Sequence, residues 1–384
     1  MISNDDLYRR STQYRYWSFT RSKLEDLRIL ANKKGIDFTK RRLQDLDPDL
    51  PETKAIKEIN ISDYPFVTSD EELKIVTYYA RKCKDLAKFF HLPSQARATA
   101  IMYLYKFYLA HSVMVYHPQY IMYTCLFLAA KVENSFIGIN NFSKAIPKTT
   151  PDSILQYEYL ILQSLRFSLR CHHPYQPLYG FYLDIQELLP KVDFKRLGRS
   201  CDSARELVNE SLFTNVPFLF TPPQVALACL WKSDAVLVER YLAKKLGLKR
   251  KQIKSEMETI REEEVKEEST DESTVESTQA SQQQPAGESS DHPSPPSSPQ
   301  QNFDKLMLTI RKCVDMLEHN TMNPSMEEAK HISSKIRFCL EPLRYGKKLI
   351  KQKIATAALV ESANAKRSNS SELESEPKKQ RISG

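Results

Sequence analysis

Residues 117–133 read His-Pro-Gln-Tyr-Ile-Met-Tyr-Thr-Cys-Leu-Phe-Leu-Ala-Ala-Lys-Val-Glu, and no other stretch limits the possible folds so strongly. Ile121, Cys125, Leu128, Ala129 and Val132 recur on one helical face, while Met122, Leu126 and Phe127 make most of the remaining surface apolar as well. A helix apolar on nearly every side has to be wrapped by other helices. Pro118 stands in the first turn, where a missing N–H costs nothing, and the charged Lys131 and Glu133 close the stretch where the apolar pattern stops. The sequence therefore predicts the central helix of a helical box whose charged end faces a partner.

The rest of the chain supports an all-α reading. Only eight glycines occur, at 35, 138, 180, 198, 247, 287, 346 and 384, none spaced to cradle a phosphate, so tight hairpins and ATP- or NAD-binding loops are not expected. The seven cysteines, at 83, 125, 171, 201, 229, 313 and 339, form no Cys-x-x-Cys and predict buried apolar positions, not disulfides or a zinc module. Cys171-His172-His173 is the one cluster of potential ligands, but adjacent residues rarely point at one metal, and no metal or other cofactor is expected. Tyr120–Ala130, the longest apolar run, is about half of a bilayer span. No secretory leader follows Met1, so the chain is expected to be intracellular and not membrane-bound.

Helical periodicity can be followed along the chain. Leu24, Leu27, Leu30 and Ala31 predict an amphipathic helix with Thr20 or Ser22 as N-cap, preceded by an aromatic arm in which Trp17 and Phe19 anchor the N-terminus to the main domain. Residues 36–67 are polar, contain three prolines and read as a long connection. Ser69 with Glu72 predicts a capping box opening the first of five helices, followed by helices at roughly 94–110, 118–132, 140–146 and 152–166. After His173-Pro174-Tyr175 the plan repeats, with helices near 175–189, 194–214, 222–236, 238–246 and 302–319. Pro118-x6-Cys125-Leu126 recurs as Pro222-x6-Cys229-Leu230 at the third helix of each half. The organisation expected is an N-terminal arm, helix and connection (1–67), a first five-helix repeat (68–170), a second repeat (171–248 and 301–320), a C-terminal helix within 321–348 and a polar tail (349–384).

The second repeat is interrupted at 249–300. Residues 255–300 hold twelve acids against Arg261 and Lys266, a local charge of −10 that leaves +18 on the remainder of a chain whose total is +8. Rich in Ser, Gln and Pro and without aromatics, this insert is expected to be largely disordered. Ser294-Pro295 and Ser298-Pro299 match a proline-directed phosphorylation site. Pro377-Lys378-Lys379-Gln380-Arg381, with Lys366-Arg367 nearby, predicts nuclear import. Basic charge spread this evenly points to acidic protein partners more than to nucleic acid.

No catalytic set is legible. His111 and His117 flank a loop without a nucleophile at recognisable spacing, and helix-end roles explain them. What stands out instead is Leu128-Ala129-Ala130-Lys131-Val132-Glu133 followed by Glu158-Tyr159-Leu160-Ile161-Leu162-Gln163-Ser164-Leu165-x-Phe167, which resembles the cyclin box. Tyr16-Trp17-Ser18-Phe19, Tyr105-Lys106-Phe107-Tyr108-Leu109, Ser112-Val113-Met114-x-Tyr116-His117-Pro118 and His173-Pro174-Tyr175-x-Pro177-x-x-Gly180-Phe181 are similar to the cyclin H branch of that family.

The resemblance implies a cyclin fold, two five-helix repeats flanked by N- and C-terminal helices, and a regulatory subunit with no chemistry of its own. It implies that Lys131 and Glu158 grip the regulatory helix of a cyclin-dependent kinase, with Leu128, Val132, Leu162, Phe167 and Leu169 supplying apolar surface. The plain alternative for Lys131 and Glu158 is an internal ion pair tying two helices together. Arg97 falls at the structural arginine of the box, but Ala96, Ala98 and Thr99 replace the bulky apolar neighbours with which cell-cycle cyclins hold substrate peptides. The implied partners are a cyclin-dependent kinase, a RING-domain assembly subunit and the core of transcription factor IIH, with RNA polymerase II and cell-cycle kinases as substrates. A cyclin C-like Mediator subunit and a DNA-binding initiation factor of the same fold are the rival readings; the second carries an N-terminal zinc ribbon that the cysteine spacing lacks.

Overall fold

The computed structural model describes residues 8–58, 64–248, 298–319 and 323–372, with side chains to 357. Every regular element among the described residues is a helix, in two compact units: residues 1–171 with 322–384, and residues 172–321.

In the first unit, α1 (Thr12–Trp17) and α2 (Arg21–Gln44) are capped by Ser11 and Thr20, whose hydroxyls accept from Tyr14 N and Lys23 N. After α3 (Pro51–Lys57) come α4 (Ser69–Phe89), α5 (Ser94–Tyr108), α6 (Pro118–Val132), α7 (Ile139–Ala145), α8 (Pro151–Leu155) and α9 (Glu158–Ser164). Central α6 buries side chains on every face, Ile121, Met122, Cys125, Leu126, Leu128 and Ala129 among them, against α4, α5, α8 and α9. His117 caps it, with Nδ1 accepting from Gln119 N at 3.2 Å, and burial pushes that imidazole down to about 4, so it stays neutral.

The second unit repeats the plan. It contains α10 (Tyr175–Leu188), α11 (Phe194–Ser211), the short α12 (Val216–Leu219), α13 (Pro222–Ser233), α14 (Ala235–Lys245) and α15 (Pro299–His319). Buried α13 lies against α10, α11, α14 and α15. Cys125-Leu126 and Cys229-Leu230 therefore both sit fully buried on central helices, which gives the weak sequence echo a structural meaning. Asp234 caps α14 and takes a two-pronged hydrogen bond from Arg196 of α11 at 2.6 and 2.7 Å, locking the two helices together.

The chain end returns to the first unit as α16 (Met326–Leu340) and α17 (Pro342–Glu372). Lys335 and Glu71, 2.6 Å apart, and Lys74 and Glu328, 3.5 Å apart, tie α16 to α4. On α17, a Cβ at Gly346 would meet Glu52 O at 2.6 Å, so glycine there permits the close approach of α3.

Four local expectations need correction. Residues 36–44, read as connection, continue α2, because the buried stripe Ala31, Gly35, Thr39 and Leu43 keeps a spacing of four with small and polar residues that carry no hydrophobic signal. The helix expected over 152–166 is broken at Gln156–Tyr157, where Thr124 donates its hydroxyl to Ile154 O at 2.8 Å and occupies a carbonyl that the helix would use. Helix also continues through the stretch read as polar tail, to Glu372. The capping box falls one residue earlier than expected, on Thr68 and Glu71.

That one-residue shift turns Glu72 inward. Ser112 donates its hydroxyl to the Glu72 carboxylate beside Gly35, where any Cβ would collide with Ser112. Burial outweighs the hydrogen bonds from Ser112 and Asn32 and pushes the carboxyl up to about 7. The folded state then holds a proton that the unfolded state has released, so stability falls as pH rises from the ordinary carboxylate range through about 7 and levels off above it. Glu72→Gln is expected to flatten the melting temperature between pH 5 and 7, an interval over which the native chain loses about 2 kcal/mol. Thermal melts at half-unit pH steps would check it; an unchanged slope in the variant would assign the dependence elsewhere.

Candidate functional site

Lys131 stands in the last turn of α6 and Glu158 is the first residue of α9. Their Nζ and Oε1 atoms are 2.5 Å apart, with side chains 39% and 22% exposed, so the pair is formed yet open to a partner. The Lys131 ammonium also lies 4.6 Å from the centre of the Phe127 ring, itself 5% exposed, which holds the charged head over a core side chain. Glu133 does not join them. It accepts the Thr99 hydroxyl at 2.6 Å and so is tied to α5.

The expected apolar surface divides in two. Leu128 is only 4% exposed and backs the site from within. Val132, Leu162 and Leu169 are half-buried, while Phe167 is 62% exposed. Phe167 sits on a strained turn: Arg166 and Phe167 both have φ +52°, a region that costs roughly 1–2 kcal/mol per non-glycine residue. Phe167 N and Ser168 N donate to Leu162 O and Leu165 O, both at 2.9 Å, closing α9 while Phe167 points outward. Two exposed aromatics close to this set in the chain were not anticipated: Phe136, 75% exposed just past the end of α6, and Tyr159, 64% exposed on α9. An aromatic in a polar loop, with no helical partner of its own, is the signal that could have found Phe136.

Other singled-out residues have structural surroundings. Trp17 is buried with Lys106 Nζ 5.1 Å from its ring centre, and Phe19 is half-buried. Arg97 is half-buried in the first turn of α5; Ala96, Ala98 and Thr99 are fully buried, so they offer a partner no apolar patch. His111 Nε2 lies 2.8 Å from Ser164 Oγ, joining α9 to the loop after α5. Ser298 caps α15, its Oγ accepting from Gln301 N at 3.2 Å. Ser294 and the basic run 377–381 fall outside the described residues.

Comparison with known proteins bears on this arrangement directly. Residues 60–170 match the cyclin N-terminal domain and residues 173–318 the cyclin C-terminal domain. Cyclin-H of Xenopus laevis is 32% identical over 257 residues, 64% of this chain and 75% of that protein. The chain belongs to the cyclin family. This cyclin is also 42% identical to cyclin CCL1 of Saccharomyces cerevisiae over 247 residues, which span 64% of the cyclin described here and 62% of CCL1. Among solved structures it resembles a chain of the CAK complex of Chaetomium thermophilum bound to ATP-gamma-S, with TM-score 0.62 and 25% identity over 99% of this cyclin and 100% of that chain. A chain of the yeast TFIIK (Kin28/Ccl1/Tfb3) complex gives TM-score 0.56 and 31% identity, covering 81% of this cyclin and 100% of that chain. Cyclins are regulatory subunits of kinases, so the chain is not itself a catalyst.

Proposed function

We propose that this cyclin is the cyclin H-like subunit that binds and activates the kinase of a CDK-activating, transcription factor IIH-type complex. The observation that carries the reading is the preformed, half-open Lys131–Glu158 pair in a domain whose relatives include chains of CAK and TFIIK complexes. The pair offers an ammonium and a carboxylate to backbone groups of an approaching kinase helix, while Val132, Leu162, Phe167 and Leu169 cover that helix with apolar surface. Docking drives the kinase helix inward, so that its glutamate meets the lysine that orients ATP and completes the phosphoryl-transfer site. The assembly includes a cyclin-dependent kinase and a RING-domain subunit, associates with the transcription factor IIH core in the nucleus, and phosphorylates the C-terminal domain of RNA polymerase II and the activation loops of cell-cycle kinases.

Titrating the full chain onto a purified transcriptional cyclin-dependent kinase, with an RNA polymerase II heptad-repeat peptide as substrate, tests this. Phosphate transfer is expected to rise saturably by roughly 100-fold, and the chain alone to transfer none. Binding without stimulation, or no binding, would overturn the proposal.

A further inference from the structure

The segment Arg166–Cys171 leaves α9 and carries Phe167 and Leu169, two of the proposed kinase contacts. Its left-handed start at Arg166 and Phe167 is a conformation that persists only where the surroundings hold it. Two side chains of α5, one turn apart on the same face, do so. The Tyr103 hydroxyl donates to Leu169 O at 2.5 Å, and Lys106 Nζ donates to Cys171 Sγ at 3.4 Å. Lys106 is fully buried, a costly place for an amine, and the Trp17 ring closes over it at 5.1 Å. Trp17 is itself 6% exposed, and its Nε1 has no hydrogen-bond partner among the described residues, so the ring is held by its face and by packing. At the other end of the segment, the Tyr16 ring lies 5.3 Å from the Arg166 guanidinium. Neighbouring residues of α1 therefore bear on both ends of one short segment, Tyr16 directly at Arg166 and Trp17 through Lys106 at Cys171.

We propose that α1, through Tyr16 and Trp17, is a positioning device for this docking segment: the seated arm holds Phe167 and Leu169 in the geometry that the kinase meets. Trp17 acts through Lys106 and Cys171, and Tyr16 acts through Arg166, without either side chain touching the kinase. The inference rests on the docking reading given above.

The test uses the full chain carrying Tyr16→Ala or Trp17→Ala, read by amide hydrogen exchange without kinase and by affinity for the kinase catalytic subunit. Both variants are expected to raise exchange at Phe167 and Ser168 about tenfold, to leave the central amides of α6 unchanged and to weaken kinase binding about fivefold, with Trp17→Phe restoring most of the loss. Tyr16 is 40% exposed, so its variant keeps the test valid should Trp17→Ala unfold. Unchanged exchange overturns the proposal even where affinity falls, because Tyr16 then contacts the kinase directly; unchanged affinity with faster exchange overturns it too. Lys131→Ala in the same assay separates the two readings: if it binds normally, the docking site is misplaced, whereas if it binds weakly while the arm variants bind normally, positioning alone fails.

Discussion

Lys131→Ala is expected to weaken kinase binding by about 2 kcal/mol, roughly thirtyfold in Kd, while the unbound chain melts within a few degrees of the native one. The asymmetry follows from exposure. In the free chain both groups retain water, and a pair so placed contributes about 0–1 kcal/mol to folding. Once a partner helix covers them, the surviving Glu158 carboxylate would be dried without its counter-charge, and that penalty falls on the complex. Glu158→Ala is expected to behave alike, with the added loss of a carboxylate at the first position of α9, where it favours the helix dipole. The double variant is expected to lose much less than the sum of the two single losses, since both remove one feature. Isothermal titration with the kinase subunit alongside thermal melts decides the matter: lost thermal stability with unchanged affinity would make the pair a tie between α6 and α9.

Phe142→Ala is expected to cost the first unit about 3–5 kcal/mol and lower its melting point by about 10 °C. Phe142 is fully buried on α7, stacked on Phe90 with centroids 4.8 Å apart and tilted against Phe127 at 5.6 Å. Phe127 in turn lies beneath the Lys131 ammonium, so the cavity would open directly under the Lys131–Glu158 pair. Phe142→Leu keeps most of the volume and is expected to cost under about 1.5 kcal/mol. Calorimetry resolving the two units would show the loss in one of them; a shift below about 1 kcal/mol would mean that the neighbours collapse into the space.

How far the sequence reveals these features depends on whether a residue's role is set by its own chemistry or by something distant. Central α6 and α13 were legible because near-continuous apolar stretches leave no other place to go. The continuation of α2 was hidden because Gly35 and Thr39 pack by being small. The break between α8 and α9 depends on Thr124, thirty positions upstream of the carbonyl it captures, which no local pattern encodes. At the proposed docking site, Lys131 and Glu158 were found through the cyclin-box resemblance, and the structure brings them together. Lys106 was read as a mark of lineage, because nothing in a run of tyrosines and leucines announces that a lysine is fully buried. Phe136 and Tyr159 escaped for the converse reason, since their exposure depends on what fails to cover them.

Because α16 and α17 belong to the first unit, that unit cannot be finished until the ribosome has passed the intervening second unit and made both helices. The α4 surface that receives Lys335 is synthesised 264 residues earlier and waits on the order of ten to fifty seconds for its cover. In that interval a nascent chain offers apolar α4 surface to chaperones, and a message truncated ahead of α16 would release a polypeptide permanently in that state.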